Sequence, residues 1–237
     1  MPDASSARAS AFLALWNDVE SAHVDEYEAW HAFEHVPERV ANPGFLAGRR
    51  YRAAERSTAR YFTLYLLASL DALRTARYAD VVEHPTPWSE RMRPLLRNFR
   101  RHACDVAARA GEGRGAAIVT AVIDREVPSR ALDGARVEHG IVTAWLGAVD
   151  TSSGFPLAPA LAMPAVGHVH QVVLVEARDR ACGEAAMSAL LARARIDAGR
   201  AECTSYDFVL EVTRNAIDDD SPRAPPRDDL RARWERR

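Results

Sequence analysis

The chain contains no lysine. All 31 basic residues among its 237 are arginines, which excludes Schiff-base chemistry and a lysine general base outright. With the richness in alanine, this suggests a GC-rich bacterial genome. Cysteine is scarce as well. Cys104, Cys182 and Cys203 are far apart, odd in number and form no C-x-x-C pair, so neither a disulfide framework nor a thiolate zinc site is indicated. No apolar run nears the ~20 residues of a membrane span, and the opening MPDASSARAS has no apolar leader core. Charge excess is also missing. A formal net charge of -2 gives no electrostatic footprint for nucleic acid. The expectation is a cytoplasmic protein with neither membrane nor nucleic-acid partners.

Several catalytic signatures are absent too. There is no G-x-S-x-G nucleophile elbow and no haem-attachment cysteine motif. GEGRG at Gly111–Gly115 lacks both the Walker lysine and the G-x-G-x-x-G spacing, and reads as a linker. What the chain does have is 48% hydrophobic residues against 27% charged, enough to bury a real core.

Periodicity then orders the elements. AFLALW (Ala11–Trp16) reads as a strand and Val24 to Arg39 as a helix. NPGF (Asn42–Phe45) places Pro and Gly as a type II turn wants them. FLAGRRYRA (Phe45–Ala53) and RYFTLYLLA (Arg60–Ala68) follow as strands. Helical pieces at Ser69–Tyr78 and Ser89–Leu96 come next, then a strand near Phe99–Ala107. That order, β-α-β-β-α-β, is a ferredoxin-like unit. After the glycine-rich break come strands at Ala116–Asp124, Gly140–Asp150 and His168–Ala177, a helix near Arg180–Arg195 and a strand at Tyr206–Thr213. The stretch Val127–Val137 is too short and too rich in breakers for a full first helix.

The expected fold is therefore α+β: two tandem ferredoxin-like units, the second lacking a full first helix, with antiparallel sheets packed as an α+β barrel. Residues 1–110 form the first unit, 111–214 a degenerate second one, and 215–237 a charged, Pro-rich tail, mobile or an arm on a partner. The strand Arg60–Ala68 is apolar on both alternating faces, Phe62, Leu64 and Leu66 against Tyr61, Tyr65 and Leu67. It needs helices on one side and the second sheet, packed face to face, on the other.

WHAFEHVPER (Trp30–Arg39) carries the densest chemistry. Advancing about 100° per residue puts Tyr27, Trp30 and Phe33 in one apolar arc, Glu34 inside it, and His31 and His35 at its edge. Three readings compete. His31-x-x-Glu34-His35 matches an inverted zinc-peptidase string by letters, but a third ligand is not evident and Pro37 should break the helix after His35. Alternatively, Glu34 pairs with Arg39, Arg49 or Arg50 and the histidines cap carbonyls. In the third reading, His31, Glu34 and His35 line a pocket between helix and sheet, where imidazole moves protons near neutral pH. Elsewhere, His168 and His170 share a strand face as a packed or interfacial pair, with metal ligation the weaker reading, and His84 and His102 stand alone.

The runs WHAFEHVPERVANPGFLAGRRY (Trp30–Tyr51), YFTLYLLASLDAL (Tyr61–Leu73) and PTPW (Pro85–Trp88) resemble the dimeric α+β barrel superfamily, in particular EthD-like and related bacterial proteins. The resemblance covers about residues 10–108. It implies two ferredoxin-like sheets closing a barrel, across a homodimer or within one chain, with a pocket between sheet and helices. Matched by motif are Trp30, His31, Glu34, His35, Arg39, Arg49, Arg50 and Tyr51, with Tyr65 and Trp88 as pocket walls. Superfamily members include cofactor-independent monooxygenases, polyketide cyclases, isomerases and haem enzymes.

Together these readings predict a small-molecule enzyme without metal or cofactor: an isomerase, a cyclase or a cofactor-independent monooxygenase. Its substrate would be a hydrophobic, aromatic or polyketide-like carbonyl compound. His31 or His35 moves a proton, Glu34 orients the imidazole, and Arg49 or Arg50 holds an oxyanion. Tyr27, Trp30, Tyr51, Tyr65 and Trp88 supply the walls. The alternative is a non-catalytic module that uses the same cavity for a ligand or the barrel face for a partner.

Overall fold

The structure, a computed structural model, describes residues 8–53, 59–133, 140–152, 155–157, 161, 169–197, 199, 201–217 and 224–235. The first half runs β1 (Ala11–Val19), α1 (Val24–Trp30), a π-helical turn (His31–His35), α2 (Val36–Val40), β2 (Phe45–Arg52), β3 (Tyr61–Leu67), α3 (Ala76–Glu83), α4 (Pro87–Met92) and β4 (Leu96–Gly111). The second runs β5 (Ala117–Ile123), β6 (Ile141–Val149), β7 (Gln171–Ala177), α5 (Arg180–Arg193) and β8 (Glu202–Thr213), with α6 (Asp228–Glu235) beyond it. Where a first helix would follow β5, only a short 3-10 turn forms among the described residues, at Ser129–Leu132. His168, one of the paired strand histidines, lies outside the described residues.

All neighbouring strands pair antiparallel, in the order β1-β3-β2-β8-β5-β7-β6-β4, and close a barrel. Each half keeps the ferredoxin-like order, β4-β1-β3-β2 and β8-β5-β7-β6. The two sheets do not stack as separate layers, as expected for covering β3. They join edge to edge through β2–β8 and β4–β6, so one chain closes the barrel alone. The two faces of β3 divide as its alternation demands. Phe62, Leu64 and Leu66 join Phe12, Trp16, Trp145 and Tyr206 in the barrel interior. Tyr65 and Leu67 pack outward under the helices with Val36 and Val40, and Tyr61 packs with Tyr27, Trp30 and Trp88. The lumen of this eight-stranded barrel is thus lined by packed side chains.

Two glycines bring the first helical run close to the sheet. Gly44, at φ +83, closes the turn before β2, where a Cβ would sit 2.7 Å from the Cβ of Ala72. Gly48 faces α2, and a Cβ there would stand 2.7 Å from Val36 Cγ1. Gly48 therefore lets α2, and the π turn before it, lie directly on β2.

Pro37 does not break the helix. The helical run continues to Val40, because His31–His35 widens into a π turn in which the Val36 N–H donates to the His31 carbonyl, five residues back. Such a turn shifts the carbonyl ladder that an interior proline would otherwise clash with. The same widening breaks the 100° phase. Phe33, expected on the apolar arc, is 56% exposed. The C-terminal segment, expected as a charged tail, carries α6, whose Leu230 and Trp234 pack on the Tyr27–Trp30–Trp88 cluster.

Candidate functional site

Between the outer face of the first sheet and its helices lies a cleft. It has about 600 Å³ of empty space counted to its open mouth. The helical run contributes Trp30, His31, His35 and Arg39, and the strands contribute Asn17, Thr63, Tyr65 and Arg101. Tyr78 and Arg93 come from the following helices, and Leu157 and Leu161 edge the mouth.

The two imidazoles lie 5.1 Å apart, centre to centre, and His35 stacks on Trp30 at 4.4 Å. His31 touches Tyr27 at 5.2 Å and meets Trp30 edge-on at 5.6 Å. Burial, reinforced by the charges of Arg50 and Arg39, holds His31 well below the ordinary histidine range. His35 is lowered in the same direction, by burial first and then by Arg39, His31, Arg93 and Arg50. Both rings are accordingly neutral at pH 7. Among the described residues neither Nδ1 has a hydrogen-bond partner, and the same holds for Tyr65 OH, Thr63 Oγ1 and Arg39 Nη1. Buried polar groups are seldom left so. Five of them line one cleft.

Other sequence candidates lie elsewhere. Glu34 is not among the lining residues, and among the described residues it pairs with no arginine side chain. Its Oε1 accepts from Thr86 Oγ1 at 2.6 Å and its Oε2 from the Arg227 backbone N–H at 2.7 Å, just before α6. Thr86 in turn caps α4, accepting from the Ser89 N–H. Burial raises the Glu34 pKa against the pull of those two hydrogen bonds.

Strand alternation separates Arg49 from Arg50. Arg49 lies on the barrel side with Tyr51, its Nη1 and Nε at 2.6 Å from Glu176 and Glu211, so neither residue reaches the cleft. Arg50 faces the helices, paired to Glu28 at 2.7 Å and stacked 5.1 Å from Tyr27 and 5.4 Å from Tyr61. It acts on the histidines through its charge and does not line the cleft. Trp88 donates to Glu26 at 3.1 Å, and Tyr27 hydrogen-bonds Asn17. Both support the site from behind its wall. Of the ten site residues expected, Trp30, His31, His35 and Tyr65 come together here.

Asn17, Thr63, Arg93 and Arg101 are lining residues that the sequence reading missed. Thr63 carried a signal, being the one polar residue of small side chain within YFTLYLL. Arg101 lies on the outward face of β4 with Phe99 and Ala103.

Among the described residues, no cluster of three His, Cys, Asp or Glu side chains could hold a metal ion. A porphyrin ligated by His35 would meet that ring's own neighbours, Trp30 at 4.4 Å and His31 at 5.1 Å between ring centres.

No protein-family model and no curated protein matches this sequence. Solved structures do match. An anthrone oxidase-like protein superposes with a TM-score of 0.59 at 12% identity, over 91% of this chain and 96% of that one. A candidate monooxygenase from Fusobacterium nucleatum subsp. nucleatum gives 0.52 at 13% identity, over 86% and 95%. A heme-binding protein from Thermus thermophilus gives 0.51 at 10%, over 88% and 93%. The chain shares the α+β barrel fold of these proteins.

Proposed function

We propose that the chain is a metal-free small-molecule enzyme that removes a proton beside the carbonyl, or from the phenol, of a hydrophobic ring compound. The carrying observation is the neutral histidine pair, with its unpartnered Nδ1 atoms, set in an apolar cleft beside unpartnered hydroxyls. His35 is the less buried of the two residues and serves as the base. His31, 5.1 Å away, receives or returns the proton. Tyr65 and Thr63 donate hydrogen bonds to the oxygen on which charge develops, the role first expected of Arg49 or Arg50.

The nearby arginines make imidazole a weaker base, and they also stabilise the enolate or phenolate that forms. The two effects oppose each other, so proton transfer stays accessible near neutral pH. Trp30 and Tyr65 hold the ring system flat against the wall.

Isomerisation, cyclisation and cofactor-free oxygenation share this first step and differ only in what meets the resulting anion. Oxygenation is the fate to test first, because the barrel is shared with an anthrone oxidase-like protein and a candidate monooxygenase. That support is analogy at the level of fold. The experiment is oxygen uptake and ketone consumption with anthrone, for the parent protein and His35→Gln. The reading predicts a loss of about 10²- to 10⁴-fold in the variant. Equal rates in both proteins would refute it.

A further inference from the structure

Among the described residues, the cleft carries cations and no anions. Arg39, Arg93 and Arg101 line it, and no Asp or Glu is among its lining residues. Arg39 is only 6% exposed. Its Nη1 has no hydrogen-bond partner, and the carboxylate it faces, that of Glu38, stands at 3.6 Å, beyond hydrogen-bond reach. Arg101 hydrogen-bonds neutral groups, the Pro156 carbonyl at 2.7 Å and the Tyr78 hydroxyl at 3.4 Å. Tyr78 joins the two arginines, since the Arg39 guanidinium lies 5.8 Å from its ring centre.

A buried guanidinium nitrogen without a hydrogen bond is costly, and a carboxylate is the group whose geometry suits the fork of donors. The walls beyond it, Leu15, Phe99, Leu157 and Leu161, are apolar.

We propose that the cleft's ligand is an aromatic acid, its ring against Trp30 and the histidines and its carboxylate between Arg39 and Arg101. This rests on reading the cleft as the substrate site and assigns tighter binding to those ring compounds that carry a fixed negative charge besides the reacting carbonyl or phenol, with neutral ones such as anthrone held more weakly. The carboxylate would supply binding energy remote from the reacting atoms, which aligns the acidic proton with His35.

The test is calorimetric titration of the full chain with a naphthalene carboxylate and with its primary carboxamide, a neutral partner of nearly the same shape. The carboxylate is expected to bind about tenfold tighter or more, and added salt should weaken it alone. Arg39→Gln and the less buried Arg101→Gln should each shrink that preference while leaving carboxamide affinity in place. Equal affinities in the parent protein would overturn the proposal, as would binding of neither compound or an acid preference that survives both substitutions. Because binding is measured without turnover, His35→Gln should retain the preference. A failure of proton transfer would then count against the catalytic reading alone.

Discussion

The His35 ring packs on Trp30 at 4.4 Å, tilted by 38°, while its own Nδ1 meets no protein partner among the described residues. An imidazole held against an indole and left without a partner at one nitrogen is oriented but chemically unspent. Under the proposed function, that combination separates a reacting histidine from one that merely caps a carbonyl.

Substituting either ring should therefore cost reaction and spare the fold. His31→Gln and His35→Gln are expected to keep the circular-dichroism spectrum and the thermal midpoint within a few degrees. Turnover should fall about 10²- to 10⁴-fold, more steeply in His35→Gln. The double variant should be no worse than the poorer single one, because the two rings handle one proton in sequence.

The pH profiles of rate and stability should both carry the mark of these rings. Their folded pKa values lie below the unfolded value, so the base remains neutral, and turnover persists, to pH values below the usual histidine limb. Stability behaves the other way. Below about pH 6.5 the unfolded chain takes up protons that the folded chain refuses, and the unfolding free energy falls as pH drops. The slope is about 1.4 kcal/mol per pH unit for each such proton. His102, pushed down to about 4 by burial and then by Arg100, adds to it. Denaturant titrations between pH 7 and 5 should show this slope reduced in His35→Gln and unchanged above pH 7.

Tyr65 offers a cleaner probe of the oxyanion contact. Its hydroxyl has no protein partner among the described residues, so Tyr65→Phe removes no folded-state hydrogen bond and should change stability by under about 1 kcal/mol. Turnover should drop about tenfold or more with KM nearly constant, the sign of an interaction made in the transition state.

Glu34 should behave as a structural carboxylate. It accepts from Thr86 and from the Arg227 N–H, and so ties α4 and the start of α6 to the π turn. Glu34→Ala should cost about 1–3 kcal/mol, and Glu34→Gln, which keeps one acceptor, less. Turnover at saturating substrate should stay within a few-fold of the parent, measured by kcat on folded protein.

Arg49 belongs to the barrel. Arg49→Met would leave Glu176, fully buried, without its cation and with the Gly115 N–H still donating to it. The variant should be destabilised by about 3–5 kcal/mol. Urea unfolding reads the loss directly, while ligand affinity of the folded fraction stays unchanged.

Much of this molecule could be read from its sequence. The strand and helix order and the two apolar faces of β3 follow from periodicity, and Trp30, His31, His35 and Tyr65, which line one cleft, are among the positions that the resemblance implied. What escaped has identifiable physical causes. A wheel at 100° per residue assumes an unbroken α-helix, and the π turn at His31–His35 breaks its phase, turning Phe33 outward and Glu34 toward Thr86. Arg49 and Arg50, treated as interchangeable oxyanion donors, are consecutive strand residues and must face opposite sides. The bond from Arg227 to Glu34 joins residues at opposite ends of the chain, and no local pattern encodes it. Arg101 was hidden because its role depends on Tyr78 and the 155–157 segment meeting it in space.

The central claim is proton removal by the histidine pair, and deuterium exchange reads that step whatever the later fate of the anion. Anthrone is incubated with the protein in D₂O under argon, and loss of its methylene proton signal is followed by NMR. The account predicts faster exchange with the parent protein than in buffer, and buffer-level exchange with the His31→Gln/His35→Gln double variant. Undiminished exchange in that variant, or none above buffer in the parent, would contradict it.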